Sequence, residues 1–372
     1  MDMYQKRRAE LYTWMARHSI ALIVLEDTEG RRDPAVRYFS GHPGDAMLLL
    51  TITGHSVLCP WDEHLALKTA NVDVIEPYTN YGRHPVTAVQ GIAAKIGIPK
   101  RAKIEIPENT PYPLFLKYVE ALFEFDVMCR ENGVSKEIQR MRAIKDDGEI
   151  ELILRACEIT DSILDQLEKL MKSGKIKTET DAALLIEKEA RAHGAEGTGF
   201  ETLAAGPERS FGIHAFPPYT AGAFPAPGLS ILDFGVKYQG YTSDVTLTVA
   251  MGELTAAQEK QLALVEKAYA AALELYKPGM PTRAATLKVD EIFRKAKRSM
   301  PHALGHGIGL EPHEGPAIRN REDNEWVFEP GMVVTLEPGL YHPDHGGCRL
   351  ENDILITETG NRVLTKSRII RL

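Results

Sequence analysis

The stretch Ile231–Val249, reading ILDFGVKYQGYTSDVTLTV, constrains the fold more than any other part of the chain. Its β-branched and aromatic residues predict two strands folded back through a short turn near Tyr238, Gln239 and Gly240. A two-residue loop then puts Asp233 and Asp244 opposite or diagonal to each other on one face, with Cβ atoms roughly 4.5–8 Å apart. Like charges so placed repel. The flanking Ile231-Leu232 and Val245-Thr-Leu-Thr-Val249 predict at least half-burial, where an unpaired charge is costly. Such a pair persists when a proton or a cation lies between its members, which makes the stretch a candidate metal site. A lone pair of strand aspartates is more often a solvated edge, so compensation has to come from elsewhere in the chain.

Two further segments supply it. Leu304-Gly-His-Gly-Ile-Gly-Leu310 sets His306 among three glycines, which let the backbone approach a crowded site, and His302 and His313 flank it. Val333-Val-Thr-Leu-Glu-Pro-Gly-Leu340 and Arg349-Leu-Glu-Asn-Asp-Ile-Leu-Ile-Thr357 predict a second hairpin turning at Tyr341–Gly347, with Glu337 and Glu351 on one face. Four carboxylates and one imidazole on half-buried strands form the donor set of a two-metal centre.

At 372 residues the chain is long enough for two domains, and 44% apolar with 26% charged residues is the composition of a soluble globular protein. Residues 1–134 alternate strands and helices (a helix over 3–18, strands at 20–25, 47–52 and 56–59, helices near 62–69, 85–96 and 114–124) and carry no concentrated chemistry. They predict an α/β domain that covers the site or joins copies of the chain. From residue 135 the charged SKEIQRMRAIKDD run opens long helical patterns over 149–171 and 180–192. Thr255-Ala-Ala-Gln258 is a capping-box start for a helix to Tyr276, and another helix covers 283–298. Residues 135–372 therefore predict an α+β layer arrangement with helices outside antiparallel hairpins. The net charge of −8 argues against a nucleic-acid surface, and no run reaches membrane-spanning length. An N-terminus without a signal-type apolar core gives a cytoplasmic expectation. Cys59, Cys129, Cys157 and Cys348 lack zinc-knuckle or disulfide spacing and are read as reduced, with Cys348 a small packing residue near the site.

Taken together, Asp233, the eleven-residue step to Asp244, Gly305-His306-Gly-Ile-Gly, His313-Glu314, Leu336-Glu337-Pro-Gly339 and Arg349-Leu-Glu351 resemble the pita-bread metallopeptidases: prolidase, aminopeptidase P and methionine aminopeptidase. Chain length and the preceding α/β domain are similar to the prolidase and aminopeptidase P branch, in which a creatinase-like domain precedes the catalytic one. The resemblance implies that Asp233, Asp244, His306, Glu337 and Glu351 bind two divalent ions, manganese first, with cobalt, zinc and iron as alternatives. Asp244 and Glu351 would bridge the ions. It implies Xaa-Pro hydrolysis by metal-activated hydroxide, as a dipeptidase or an N-terminal aminopeptidase. Glu337 is then the general base, His313 steadies the oxyanion, and His214 orients the residue after the scissile bond. Arg349 stands at the substrate or behind the carboxylates, and a homodimer through the first domain is expected. Two departures bear on substrate. Leu247 stands where the family carries the arginine of Thr-Arg-Thr, and Ala317 where prolidases often carry Arg or Tyr, with Arg319 nearby. Two other classes stay open: a metal-dependent hydrolase or lyase of a small non-peptide substrate, and a non-catalytic interaction module.

Overall fold

The computed structural model describes residues 2–372, which form two compact units divided between Met141 and Arg142. The division falls near the end of the helix Val134–Ala143. In the first unit, a helix over Met3–His18 starts from an Asp2–Gln5 capping box. It precedes a six-stranded mixed sheet in which Ile20–Asp27 lies between the antiparallel Ala46–Thr51 and the parallel Lys103–Glu105. The sheet core packs Leu22, Val24, Met47 and Leu49 on Ile92 and Tyr118. The three-residue strands Lys103–Glu105 and Asp126–Met128 and the helix Ala35–Ser40 are too short to give a periodic signal, and sequence reading passes over them.

In the second unit, helices over Asp147–Lys172 and Glu179–Ala192 start from the boxes Asp146–Glu149 and Thr178–Asp181. Their apolar faces, with Ile163, Leu167 and Ile186, bury Leu232 and Leu247 of a sheet ordered 369–371, 245–251, 228–234, 203–205. Helices over Ala256–Leu273, capped by Thr255 and Gln258 as the sequence predicts, and Thr282–Lys295 cover a second sheet ordered 314–318, 305–307, 333–336, 352–356, 361–363. Val265, Ala268 and Phe293 pack there on Val334 and Ile354. Each sheet thus gives one face to helices. The opposite faces carry the acids, because strand side chains alternate.

Both acidic hairpins form, each with an interruption. In the first, Gln239 and Gly240 turn with φ of 46° and 93°, the positive angles of a two-residue loop. The ladder runs Thr246↔Asp233 and Val245↔Phe234, breaks at Asp244, and resumes at Lys237↔Thr242. Asp244 is therefore diagonal to Asp233, one of the two arrangements the sequence allows. In the second, Leu336↔Asn352 ends one ladder and Gly339↔Arg349 begins another, so Glu337 and Glu351 face each other at the gap. That second ladder continues to His342↔Gly346, so the turn is shorter than the expected Tyr341–Gly347. Gly346, at φ 76°, supplies the bend. Among the described residues no helix is long and apolar enough to cross a membrane.

Candidate metal centre and substrate cavity

Threonines stitch the two hairpins together. Thr246 Oγ1 donates to Glu351 Oε2 at 2.7 Å, the Glu351 amide donates to Thr246 O at 3.0 Å, and Thr248 Oγ1 donates to Arg349 O at 2.9 Å. The interrupted ladders then meet, and their acids share one place. Asp244 Oδ2 lies 3.8 Å and Glu337 Oε1 3.5 Å from His306 Nε2. Asp244, His306 and Glu351 each present a ligand atom within 4.8 Å of the others.

His306 reaches this point because its neighbours have no side chains. A Cβ on Gly305 would lie 2.2 Å from Thr335 O, and one on Gly307 2.0 Å from Gly315 O. The His306 amide donates to Thr335 Oγ1 at 3.1 Å, and its Nδ1 lies 3.2 Å from Gly307 O. With Nδ1 donating there, Nε2 is left as the acceptor facing the acids. Gly307→Ala is expected to displace this strand and cost activity at least about tenfold together with a lowered Tm, since the clash is with backbone. Steady-state kinetics and thermal melts check it.

The electrostatics ask for cations. Burial and the neighbouring carboxylates push Asp244 and Glu337 well above the usual carboxylate range. Burial, then Asp233, pushes Glu351 up to about 7. Burial pushes His306 down to about 3 and His302 to about 4, so both imidazoles are neutral at pH 7, the state in which imidazole binds metal. Asp233 Oδ1 is buried with no hydrogen-bond partner. Separations of 3.5–3.8 Å are too long for hydrogen bonds but suit donors that each stand about 2.1 Å from one ion. The donor set fits divalent cations.

Support behind these acids was not foreseen from the sequence. Asp353, fully buried, accepts the Asp244 amide at 3.0 Å through Oδ2, which also lies 3.5 Å from Cys157 Sγ. Its two-residue offset from Glu351, like that of Thr246 from Asp244, was the available signal: alternate strand residues share a face. Arg349 ion-pairs with Asp233 through Nη2, and donates to Thr246 Oγ1 at 2.9 Å, Tyr341 OH at 2.8 Å and Ile213 O at 3.2 Å. These partners lie behind the carboxylates, and Arg349 also lines the cavity. Tyr341 OH also lies 2.9 Å from His302 Nε2. Cys348 is fully buried in the helix-covered core and its thiol is pushed up to about 12 by burial, so it packs.

A cavity of about 420 Å³ opens onto the centre. Asp233, Asp244, His306, Glu337 and Glu351 line it together with His214, His313 and Arg349, so the eight side chains expected to hold metal or substrate line one cavity. The His313 and His306 rings are 4.2 Å apart. The remaining wall is largely apolar, from Phe200, Leu203, Ile213, Ala215, Phe216, Pro218 and Ala303, with Glu201 and His302 added. Leu247 does not face the cavity. It is buried under the helices, on the side of the strand opposite to Thr246.

Comparison with known proteins agrees with this geometry. The model of metallopeptidase family M24 matches residues 151–358. The chain is 30% identical to an Xaa-Pro dipeptidase of Pyrococcus horikoshii, over 99% of both chains. It is 32% identical to an uncharacterized peptidase of Bacillus subtilis, over 89% of this chain and 91% of that one. The crystal structure of the X-Pro aminopeptidase from Thermotoga maritima superposes with a TM-score of 0.85 at 26% identity, covering 98% of this chain and 99% of the other. The pita-bread architecture expected from the sequence is the architecture observed, and the chain belongs to metallopeptidase family M24.

Proposed function

We infer that the chain is an Xaa-Pro exopeptidase in which Asp233, Asp244, His306, Glu337 and Glu351 would hold two divalent ions. The observation that carries this reading is the convergence of five donor side chains and three further histidines in one cavity, with Asp244 and Glu337 held well above the usual carboxylate range by burial and by the carboxylates around them. Bound there, the ions supply Lewis acidity, polarising a carbonyl and acidifying water. Glu337, at the end of its strand and facing His306, takes the proton from the attacking water. It later returns that proton to the proline nitrogen, which must be protonated to leave as a secondary amine. His313, beside His306, donates to the carbonyl oxygen as negative charge builds on it. His214 holds the residue after the scissile bond. The apolar wall from Phe200 to Pro218 accommodates a proline ring and excludes water from around it.

The test is a panel of peptides matched except for proline at the second position, assayed with manganese after chelator treatment. Proline peptides are expected to be cleaved at least about tenfold faster by kcat/KM, as pocket selectivity allows. Equal rates on non-proline peptides, or no hydrolysis at all, would remove the reading.

A further inference from the structure

The geometry points to a preference for peptides that continue beyond the proline, or end there in an uncharged group, over free Xaa-Pro dipeptides. The inference rests on the Xaa-Pro reading and concerns which of its two forms this cavity serves.

A dipeptide differs from a longer substrate at one place: its carboxylate sits directly on the residue after the scissile bond. Desolvating that carboxylate requires a fixed positive partner, for which a guanidinium fork or an ammonium is suited. Among the described residues lining the cavity, Arg349 is the one lysine or arginine. It is already committed, with Nη2 on Asp233, Nη1 shared between Tyr341 OH and Ile213 O, and Nε on Thr246, and its side chain is only 3% exposed. Turning it to a substrate would leave Asp233, one of the proposed metal ligands, without its cation. Nor do the two departures in sequence deliver a replacement. Leu247 is buried under the helices, and Arg319 is exposed and outside the cavity wall.

The rim carries what a longer peptide can use. Glu201, exposed and lining the cavity, repels a second carboxylate. Phe216, on the cavity wall, is 92% exposed. It stands two residues from His214, on the loop that holds the residue after the scissile bond, so a side chain following proline can cover its ring and bury apolar area. A free dipeptide has nothing to place there.

The test uses the manganese-loaded full chain at pH 8, where imidazole at its ordinary value is uncharged. The substrates are alanyl-proline, alanyl-prolinamide and alanyl-prolyl-alanine, which share one scissile bond. The amide and the tripeptide are expected to exceed the dipeptide in kcat/KM by at least about tenfold, the size of a modest like-charge penalty. Glu201→Lys is expected to narrow that ratio. A dipeptide cleaved as well as or better than its amide overturns the inference while leaving Xaa-Pro hydrolysis standing, and this ratio in the unaltered chain decides even if the variant does not fold. Failure on all three substrates overturns both.

Discussion

Replacing Glu337 by glutamine is expected to cut kcat on an Xaa-Pro peptide by about 10²–10⁴-fold, the usual contribution of a positioned base. Glutamine keeps the shape and can still offer an oxygen to a cation, but it cannot take a proton. What separates this from simple damage is stability. Glu337 is held above the usual carboxylate range by burial first and by Glu351 second, so it is a source of repulsion in the metal-free protein. Removing its charge should leave the Tm of the metal-free protein unchanged or higher. A functional residue of this kind works against the fold that carries it. A variant that loses activity and also melts much earlier would mean that Glu337 is structural.

The second large effect is on stability against pH in the absence of metal. A carboxyl whose folded pKa is raised contributes stability that is fully present below its unfolded value and is lost as pH rises through the folded value. For Glu351 that window runs from about 4.5 to about 7, and Asp244 and Glu337 lie in the same direction. The neighbouring histidines oppose it. His302, His306 and His313 are depressed by burial, so they cost stability as pH falls below about 6.5. Above about 6.5 the unfolded chain gives up its remaining histidine protons within about one pH unit, and the carboxyls dominate. Metal-free protein is therefore expected to lose stability from pH 6.5 to 8, at about 1.4 kcal/mol per pH unit for each extra proton the folded state holds. On the proposed reading manganese takes the place of those protons, so the rise in Tm on adding it is expected to widen over the same range. Thermal melts with and without chelator measure both curves. A metal-free Tm that rises across this window would contradict the account of the acidic cluster.

The residues that could be read from the sequence are those whose surroundings make them anomalous. Asp233 and Asp244 stand in apolar β-branched runs, His306 stands between glycines whose Cβ atoms would strike Thr335 O and Gly315 O, and Glu337 interrupts an apolar strand. Each is a local conflict that only an outside partner resolves. Arg349 was visible but its partners were not, because Asp233 and Ile213 lie more than a hundred residues away and meet it only when the two hairpins cross. Thr246 suits a strand in any protein, Asp353 reads as one more acid beside Glu351, and the value of both lies in the groups they touch. The same holds for the ladder breaks. The sequence leaves Asp244 opposite or diagonal to Asp233, and although Pro338 marks the stop after Glu337, nothing local announces that pairing stops at Asp244.

Whether these acids hold cations is decided by titrating chelator-treated protein with manganese in a calorimeter, alongside elemental analysis of the product. Two ions per chain are expected, and one or none with Asp244→Asn, which removes a proposed ligand. Saturation of the unaltered, folded chain with no ion bound, or an Asp244→Asn variant that still binds two, would contradict that expectation.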